Sequence, residues 1–157
     1  MHEAHHPGDS AADVIAAAQH SSVITIRTLL PQDHGRWDAF VHSCPEATFF
    51  HRAGWQTIME QGFGHASHFL YAEQNGRILG VLPLVHMRGL LSGKALVSLP
   101  FCVYGGIAAI DLQARRALDA RARQLAQELE VGHLEYRQRD GDILEGWQGK
   151  PLYATFR

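Results

Sequence analysis

Residues 99–106 combine the residue types that a small binding groove needs. The segment reads Leu99-Pro100-Phe101-Cys102-Val103-Tyr104-Gly105-Gly106; it follows the longest apolar run of the sequence and precedes its longest helical pattern. Glycine lets backbone approach a ligand closely because it has no Cβ, and tyrosine offers a ring that stacks and a hydroxyl that hydrogen-bonds. Tyr104, Gly105 and Gly106 are therefore predicted to shape a substrate groove. The competing interpretation is a tight strand-to-helix turn, with Tyr104 packed over its own core.

A second set of candidates lies where the second helix is expected to begin. His51 follows two phenylalanines there, and Trp55 stands four residues further along the chain. Free N–H groups at a helix start can bind an anionic group, so His51 and Trp55 are predicted to assist the groove. A structural or surface role is favoured for the other polar candidates, which are Arg52, His68, His86 and Glu135. No catalytic residue is assigned.

The sequence carries no pattern typical of a metal centre or of a catalytic nucleophile. Cys44 and Cys102 are the only cysteines, and two thiols without paired spacing make neither a zinc site nor a disulfide framework. They are predicted to be small packing residues in a reducing compartment. Residues 2–6 match H-E-x-x-H, but this copy lies at the extreme terminus rather than on a buried helix, so no metal site is expected.

Length and composition indicate one globular domain. The chain has 157 residues, of which 46% are hydrophobic and 19% charged, and its formal net charge is -2. This balance argues against a disordered chain and gives no global attraction to nucleic acid, so DNA is not an expected partner. No apolar run is long enough to cross a bilayer, and the N-terminus lacks the layout of a signal peptide. A cytoplasmic protein is expected, with peripheral contact at the inner face of the membrane left open.

The elements that position these residues alternate between strands and helices. A flexible tail is predicted for residues 1–22 and a folded α/β domain for 23–157. Apolar periodicity predicts strands and helices whose bounds are 23–30 (strand), 33–44 and 52–61 (helices), 65–73, 77–87 and 94–99 (strands), 111–130 (helix) and 133–137 (strand). Asn75-Gly76 predicts a hairpin, and Pro83 predicts a bulge. Asp111 is predicted to cap the helix over 111–130 and Gly132 to end it. Its predicted buried stripe is Leu118, Ala122, Leu125 and Leu129. A further strand pattern over 151–157 runs into the last residue, so a truncated chain is expected.

Four short stretches, in this order of elements, carry a resemblance to a known family. They are Phe49-Phe50-His51-Arg52-Ala53-Gly54-Trp55, Gly76 to Leu84, Leu99-Pro100 with Tyr104-Gly105-Gly106, and Tyr153-Ala154-Thr155-Phe156-Arg157. The chain resembles the acyl-CoA N-acyltransferase (GNAT) fold, a mixed sheet flanked by helices. More specifically, it looks like the first half of a FemAB-type peptidyltransferase, of the FemAB-like kind found beside exosortase (PEP-CTERM) and exopolysaccharide genes. The resemblance runs from Ile24 to Arg157.

This resemblance implies a function that the residues alone do not show. FemAB-type enzymes are built from two GNAT-like domains and transfer an amino acid from aminoacyl-tRNA to an amino group of a peptidoglycan precursor. The implied function is N-acyl or aminoacyl transfer to the amino group of an envelope or exopolysaccharide precursor. Aminoacyl-tRNA or an acyl-CoA is the implied donor of the full protein. The second, C-terminal GNAT-like domain is absent here, so this half is expected to be inactive alone.

A stand-alone acetyltransferase of this fold carries Arg/Gln-x-x-Gly-x-Gly/Ala at the start of a helix, where N–H groups cradle the pyrophosphate of coenzyme A. The nearest match, residues 138–143, has Ile143 where a small residue is required and does not open a helix. No cofactor is therefore expected in this half. Two alternatives stay open: an acetyl-CoA-dependent small-molecule N-acetyltransferase, and a non-catalytic substrate-binding half-domain.

Overall fold

A mixed β-sheet runs through the middle of the protein, and helices pack on both of its faces. The computed structural model describes residues 23–89, 93–139 and 144–149. The predicted N-terminal tail with its H-E-x-x-H match and the strand predicted over 151–157 lie outside these residues. The described strands are β1 (Thr25–Thr28), β2 (Ala66–Gln74), β3 (Arg77–Gly89), β4 (Gly93–Ser98), β5 (Ala108–Ala109) and β6 (His133–Glu135). The helices are α1 (His34–Ser43), α2 (Gly54–Thr57, continued by a π-helical turn at Ile58–Gly62) and α3 (Leu112–Glu128).

The sheet order is β1-β2-β3-β4-β6, and β5 pairs with β3 beside β4. All pairs are antiparallel except β4 with β6, which is parallel and reached through helix α3. Strand β3 is the centre of this arrangement because it pairs with β2, β4 and β5. The predicted α/β class with a mixed sheet flanked by helices is confirmed.

The hairpin between β2 and β3 forms as its turn residues require. Asn75 and Gly76 have φ angles of 51° and 75°. Both central residues of a type I′ turn need positive φ, and asparagine and glycine tolerate it best. The Asn75-Gly76 prediction is therefore confirmed.

The bulge predicted at Pro83 is wrong for the β2–β3 pair. Pro83 pairs in register with Phe69, and the register shift lies between Ala72 and Glu73 instead. The carbonyl of Pro83 accepts from the Leu99 N–H at 3.1 Å. Since N–H and C=O of one strand residue point to the same side, the missing donor of Pro83 faces the gap between β4 and β5. No regular strand pairs there, so the ring is tolerated.

Two apolar layers, one on each face of the sheet, form the core. The layer under α1 contains Trp37, Phe40, Val41, Phe69, Tyr71, Val81 and Val85, together with the buried thiols of Cys44 and Cys102. The layer under α3 contains Leu70, Ala72, Leu82, Leu84, Leu96, Leu118, Ala122 and Leu125. The predicted packing role of both cysteines is confirmed. Of the predicted stripe of α3, Leu118, Ala122 and Leu125 are buried, whereas Leu129 is half-buried and follows the end of the helix.

Helix α3 begins at the predicted cap. The Asp111 carboxylate accepts from the Ala114 N–H at 2.7 Å, which satisfies one of the free donors of the first turn. The sequence predicted that Gly132 would end the helix, and this prediction is wrong because the helix ends at Glu128. Glu130 takes the left-handed conformation, with a φ angle of 52°, immediately after the last turn.

Candidate functional site

The nine residues 99–107 leave the sheet between β4 and β5 and form the segment that the sequence singled out. We call them the excursion. Leu99 and Phe101 have φ angles of 45° and 71°, in a region that non-glycine residues rarely adopt. Leu99 is fully buried, whereas Phe101 is 61% exposed and its ring stacks on Phe63 at 4.8 Å between centroids. Such strain persists only where surrounding contacts enforce it, and it concentrates at functional sites.

His51 joins the second helical region to the excursion. Its Nδ1 accepts from the Thr48 N–H at 3.0 Å, so the ring proton of the neutral form resides on Nε2. Nε2 then donates to the Gly106 carbonyl at 2.9 Å. Burial lowers the pKa of His51. In this geometry both nitrogens of the neutral imidazole are hydrogen-bonded to backbone groups. The role of His51 in substrate binding stays a prediction.

The two glycines of the excursion are held against the residues that follow β6. Both Gly105 and Gly106 donate their N–H groups to the Arg137 carbonyl, at 3.0 and 3.1 Å. A Cβ on Gly105 would lie 2.8 Å from the Leu99 Cβ, and one on Gly106 would lie 2.2 Å from Gln138 Oε1. Glycine is therefore required here by close packing against the protein itself.

Tyr104 is half-buried in the same segment. Trp55 lies in a cluster of aromatic rings with Phe49 and Phe50, at centroid distances of 5.9 and 5.7 Å, and its Nε1 donates to the Phe49 carbonyl at 3.2 Å. The structure thus brings His51 and Gly106 together and places Trp55 among the rings of Phe49 and Phe50. The substrate-binding roles of Tyr104, Gly105, Gly106 and Trp55 stay predictions.

A cavity of about 660 Å³ opens where β5 leads into α3. It is bounded by the end of β5, the first two turns of α3 and residues 144–145. Its charged lining consists of Glu46, Asp111, Arg115, Arg116, Asp119 and Glu145. Sequence reasoning missed Glu46 and Asp119 as site residues, because nothing local in the sequence marks them.

Glu46 reaches the cavity from the loop after α1. Its Oε2 accepts from Arg115 Nη2 at 2.6 Å and from the Ala109 N–H at 2.9 Å. The Arg115 side chain is only 9% exposed, while that of Glu46 is 42% exposed. Arg115 is therefore a buried cation that depends on one carboxylate at the cavity wall.

Asp119 lies one turn further along α3 in the lining of the same cavity. Its Oδ1 accepts from the Tyr136 hydroxyl and from Trp147 Nε1, each at 3.0 Å, and its Oδ2 accepts from Arg123 Nε at 2.9 Å. The Tyr136 and Trp147 rings stack at 4.1 Å, and burial raises the pKa of Tyr136. This carboxylate ties residues 144–149 to α3.

The start of α3 does not form the cradle that the pyrophosphate of coenzyme A requires. An anion at a helix start is held by free N–H groups and the positive end of the helix dipole. Here the Asp111 carboxylate already occupies that position and caps the helix. Glu46 and Glu145 add carboxylates to the lining of the neighbouring cavity. The residues present do not fit a bound pyrophosphate.

Away from this site, His86 is 3% exposed on β3, and neither ring nitrogen has a hydrogen-bond partner. Its ring lies 6.4 Å from that of His68. Burial lowers the pKa of both histidines. Across the described ranges, no three His, Cys, Asp or Glu side chains are grouped to hold a metal ion. In those same ranges, no helix has the length and apolar character needed to cross a membrane.

Comparison with known proteins identifies the fold and no family. No protein-family model matches the sequence, and curated proteins give no match. Among solved structures, a GNAT family acetyltransferase from Staphylococcus aureus is similar, with a TM-score of 0.56 and 10% identity over 85% of this chain and 98% of that one. A transcriptional regulator from Bacillus halodurans has a TM-score of 0.52 and 11% identity over 84% of this chain and 100% of that one.

FemX is also similar, with 18% identity over 68% of this chain and 25% of that chain, at a TM-score of 0.49. At 10% identity, the likeness to the GNAT family acetyltransferase from Staphylococcus aureus shows the fold alone. The protein has a GNAT-type fold.

Proposed function

We propose that this chain is a GNAT-fold half of an N-acyl or aminoacyl transferase of FemAB type, and that it binds the amine-bearing acceptor. The acceptor is the amino group of an envelope or exopolysaccharide precursor. The donor, an aminoacyl-tRNA or an acyl-CoA, binds to a second GNAT-like domain. The proposal rests on the order of the four resembling stretches together with the fold.

The observation that carries this proposal is the start of α3. The Asp111 carboxylate accepts from the Ala114 N–H at 2.7 Å, where a coenzyme-A-dependent enzyme needs a free anion cradle. A half that does not hold the donor fits this arrangement, whereas a stand-alone acetyltransferase does not. The carboxylates that line the adjacent cavity are negatively charged, so they favour an ammonium group over a phosphate.

The chemistry of such a half is binding and orientation. In aminoacyl transfer the acceptor amine attacks the ester carbonyl directly, so the protein needs no nucleophile of its own. Holding the two reactants in line and stabilising the developing oxyanion supply the rate enhancement. No residue of this chain is assigned the oxyanion role.

Isothermal titration of the chain with coenzyme A and with an amine-bearing envelope precursor tests the proposal. We expect heat of binding with the precursor and none with coenzyme A at millimolar concentration. Micromolar coenzyme A binding would instead support an acetyl-CoA-dependent N-acetyltransferase. The variant Asp111→Ser, which keeps a helix cap and removes the charge, is the matched control for the electrostatic argument.

A second candidate, a non-catalytic binding half-domain, is favoured by one observation. His51 and both glycines of the predicted groove use their polar groups within the protein, at distances of 2.9 to 3.1 Å. Joining the chain to a second GNAT-like domain separates the two candidates. Precursor binding without transfer of the acyl group in that joined protein supports the non-catalytic function.

A further inference from the structure

Two neighbouring histidines lie on the face of the sheet that α3 covers, away from the excursion and the cavity. His86 is 3% exposed, and within the described part of the chain neither of its buried ring nitrogens has a hydrogen-bond partner. His68 is half-buried, and its ring centroid lies 6.4 Å from that of His86. A buried polar group left unbonded costs about 1–3 kcal/mol. Such a group in a folded protein calls for an explanation, and a bound ion is one.

The register of β2 and β3 places the two rings together. Ala66 pairs with His86 and His68 pairs with Leu84, so the two histidines are diagonal neighbours across the strand pair. Alternate residues of a strand share one face, and Leu84, two residues before His86, belongs to the apolar layer under α3. Diagonal neighbours on one face lie within reach of aromatic side chains. The pair therefore lies at the end of this layer, where Leu96 of β4 pairs with His86.

The separation of the two rings fits one metal ion held in line between them. An imidazole nitrogen binds a metal at about 2 Å, which places the ion about 3.1 Å from the ring centroid. Two rings on opposite sides of one ion then have centroids about 6.3 Å apart, close to the observed 6.4 Å. A tetrahedral angle at the ion would bring the centroids to about 5 Å. The pair therefore fits a two-coordinate ion better than a tetrahedral one.

The charges around the pair favour a monovalent ion over a divalent one. Burial is the main cause that lowers the pKa of both histidines, and the cations Arg88, Lys94 and Arg121 lower it further. Both rings are therefore neutral at pH 7, which is the form that binds a metal. Repulsion by these cations is about twice as strong for a divalent ion as for a monovalent one. Glu128 pairs with Arg121 at 3.1 Å, and the Glu60 carboxylate acts on the β2 histidine in the opposite sense, so the repulsion is partly offset.

We propose that His68 and His86 bind one Cu(I) ion between their rings. Cu(I) is monovalent and accepts two nitrogen ligands in line, and imidazole is a suitable ligand for copper. Zn²⁺ needs further protein ligands, and within the described ranges no third His, Cys, Asp or Glu side chain joins the pair. His68 is half-buried and gives access from solvent, whereas the apolar surroundings of His86 limit the access of water to the ion. The site is independent of the proposed acyl transfer, which uses neither ring.

The test titrates the full chain with Cu(I) at pH 7 without oxygen, against a chromogenic Cu(I) chelator, and follows the ¹⁵N-labelled histidine rings by NMR. We expect the ring nitrogen signals of His68 and His86 to shift together. In His86→Leu the affinity of this site should fall at least about a hundredfold, because even partners outside the ligand set contribute about 10–100-fold. His42→Leu, which removes an exposed histidine of α1, is the matched control and should leave the affinity unchanged.

His68→Leu is the second variant and should lose the same site. The histidines of residues 1–22 and the thiols of Cys44 and Cys102 are further Cu(I) ligands present in every variant, so the parent should exceed His86→Leu by one bound equivalent. Equal stoichiometry and affinity in the parent and both variants overturn the proposal. Ring signals of His68 and His86 that stay unchanged at saturation also overturn it, and tighter binding of Zn²⁺ than of Cu(I) by the two rings overturns the two-coordinate assignment. The proposed function stands or falls separately, by its own titration.

Discussion

The two hydrogen bonds of the His51 ring, from the Thr48 N–H and to the Gly106 carbonyl, give the sharpest quantitative prediction. In His51→Phe the ring keeps nearly the same shape and loses both nitrogens, so the Thr48 N–H and the Gly106 carbonyl lose their partners. Leaving a buried polar group unbonded costs about 1–3 kcal/mol. Gly106 is buried and Thr48 is half-buried, so the Thr48 loss falls at the low end of this range. The free energy of unfolding should drop by about 2–4 kcal/mol in total.

Urea unfolding at pH 7, followed by circular dichroism, measures this drop as a lower midpoint with an unchanged slope. His42→Phe is the matched control because His42 is exposed on the last turn of α1, and its effect should stay within about 0.5 kcal/mol. If His51→Phe lowers the free energy of unfolding by less than about 0.5 kcal/mol, the two hydrogen bonds of His51 do not contribute as argued, because two unbonded polar groups cannot cost so little.

The same pair of proteins gives a pH test with a definite sign. Burial lowers the pKa of His51 in the folded protein below its ordinary value of 6.5. As the pH falls through 6.5, the unfolded chain binds the proton first, so the parent loses stability by up to about 1.4 kcal/mol per pH unit from this residue. His51→Phe lacks this contribution. The stability gap between the two proteins should narrow from pH 7 to pH 5, and a constant gap would contradict a neutral buried His51.

Three further changes probe the surroundings of the site. His86→Leu removes two unbonded ring nitrogens from the core, so the unfolding free energy at pH 7 should rise by about 1 kcal/mol, measured by thermal unfolding. Gly106→Ala places a Cβ 2.2 Å from a side-chain oxygen and 3.0 Å from a backbone carbon. This variant should lower the free energy of unfolding in urea by about 1–3 kcal/mol. Gly35→Ala, which has open space around it in α1, should raise that free energy by up to about 1 kcal/mol. Asp119→Ala strips three donors of their acceptor; it should cost about 2–4 kcal/mol and weaken the near-ultraviolet dichroism of the stacked rings beside it.

The predictable part of the fold was encoded in neighbouring residues. Asn75 and Gly76 formed the predicted turn because positive φ is a property of those two residue types. Asp111 formed the predicted cap because its side chain reaches a backbone donor three residues away. Pro83 was misjudged because its effect depended on which side of β3 lacked a partner strand, and that depended on where β4 ended.

The residues of the candidate site also differ in whether the sequence could predict them. The sequence pointed to His51 and to the glycine pair, and the structure joined His51 to Gly106 at 2.9 Å across 55 positions. It did not point to Glu46 as the acceptor for the Ala109 N–H, because a lone glutamate carries no local pattern. Gln138 stood out only as the first residue of the near-match at 138–143, and nothing in the sequence pointed to its contact with Ile107. Their contacts span 63 and 31 positions.

By itself, the sequence determined the order of strands and helices apart from the two-residue strand β5, which it did not predict. It also determined the hairpin, the cap of α3 and the apolar faces that form the two core layers. These follow from side-chain period and from backbone preferences that act over a few residues. Only the tertiary structure decided which backbone groups of the excursion and of β5 meet a strand, and which meet a side chain. Whether a backbone group has a strand or a side chain as its partner depends on how far each strand runs before its neighbour diverges. Packing of the chain, rather than local propensity, sets that distance.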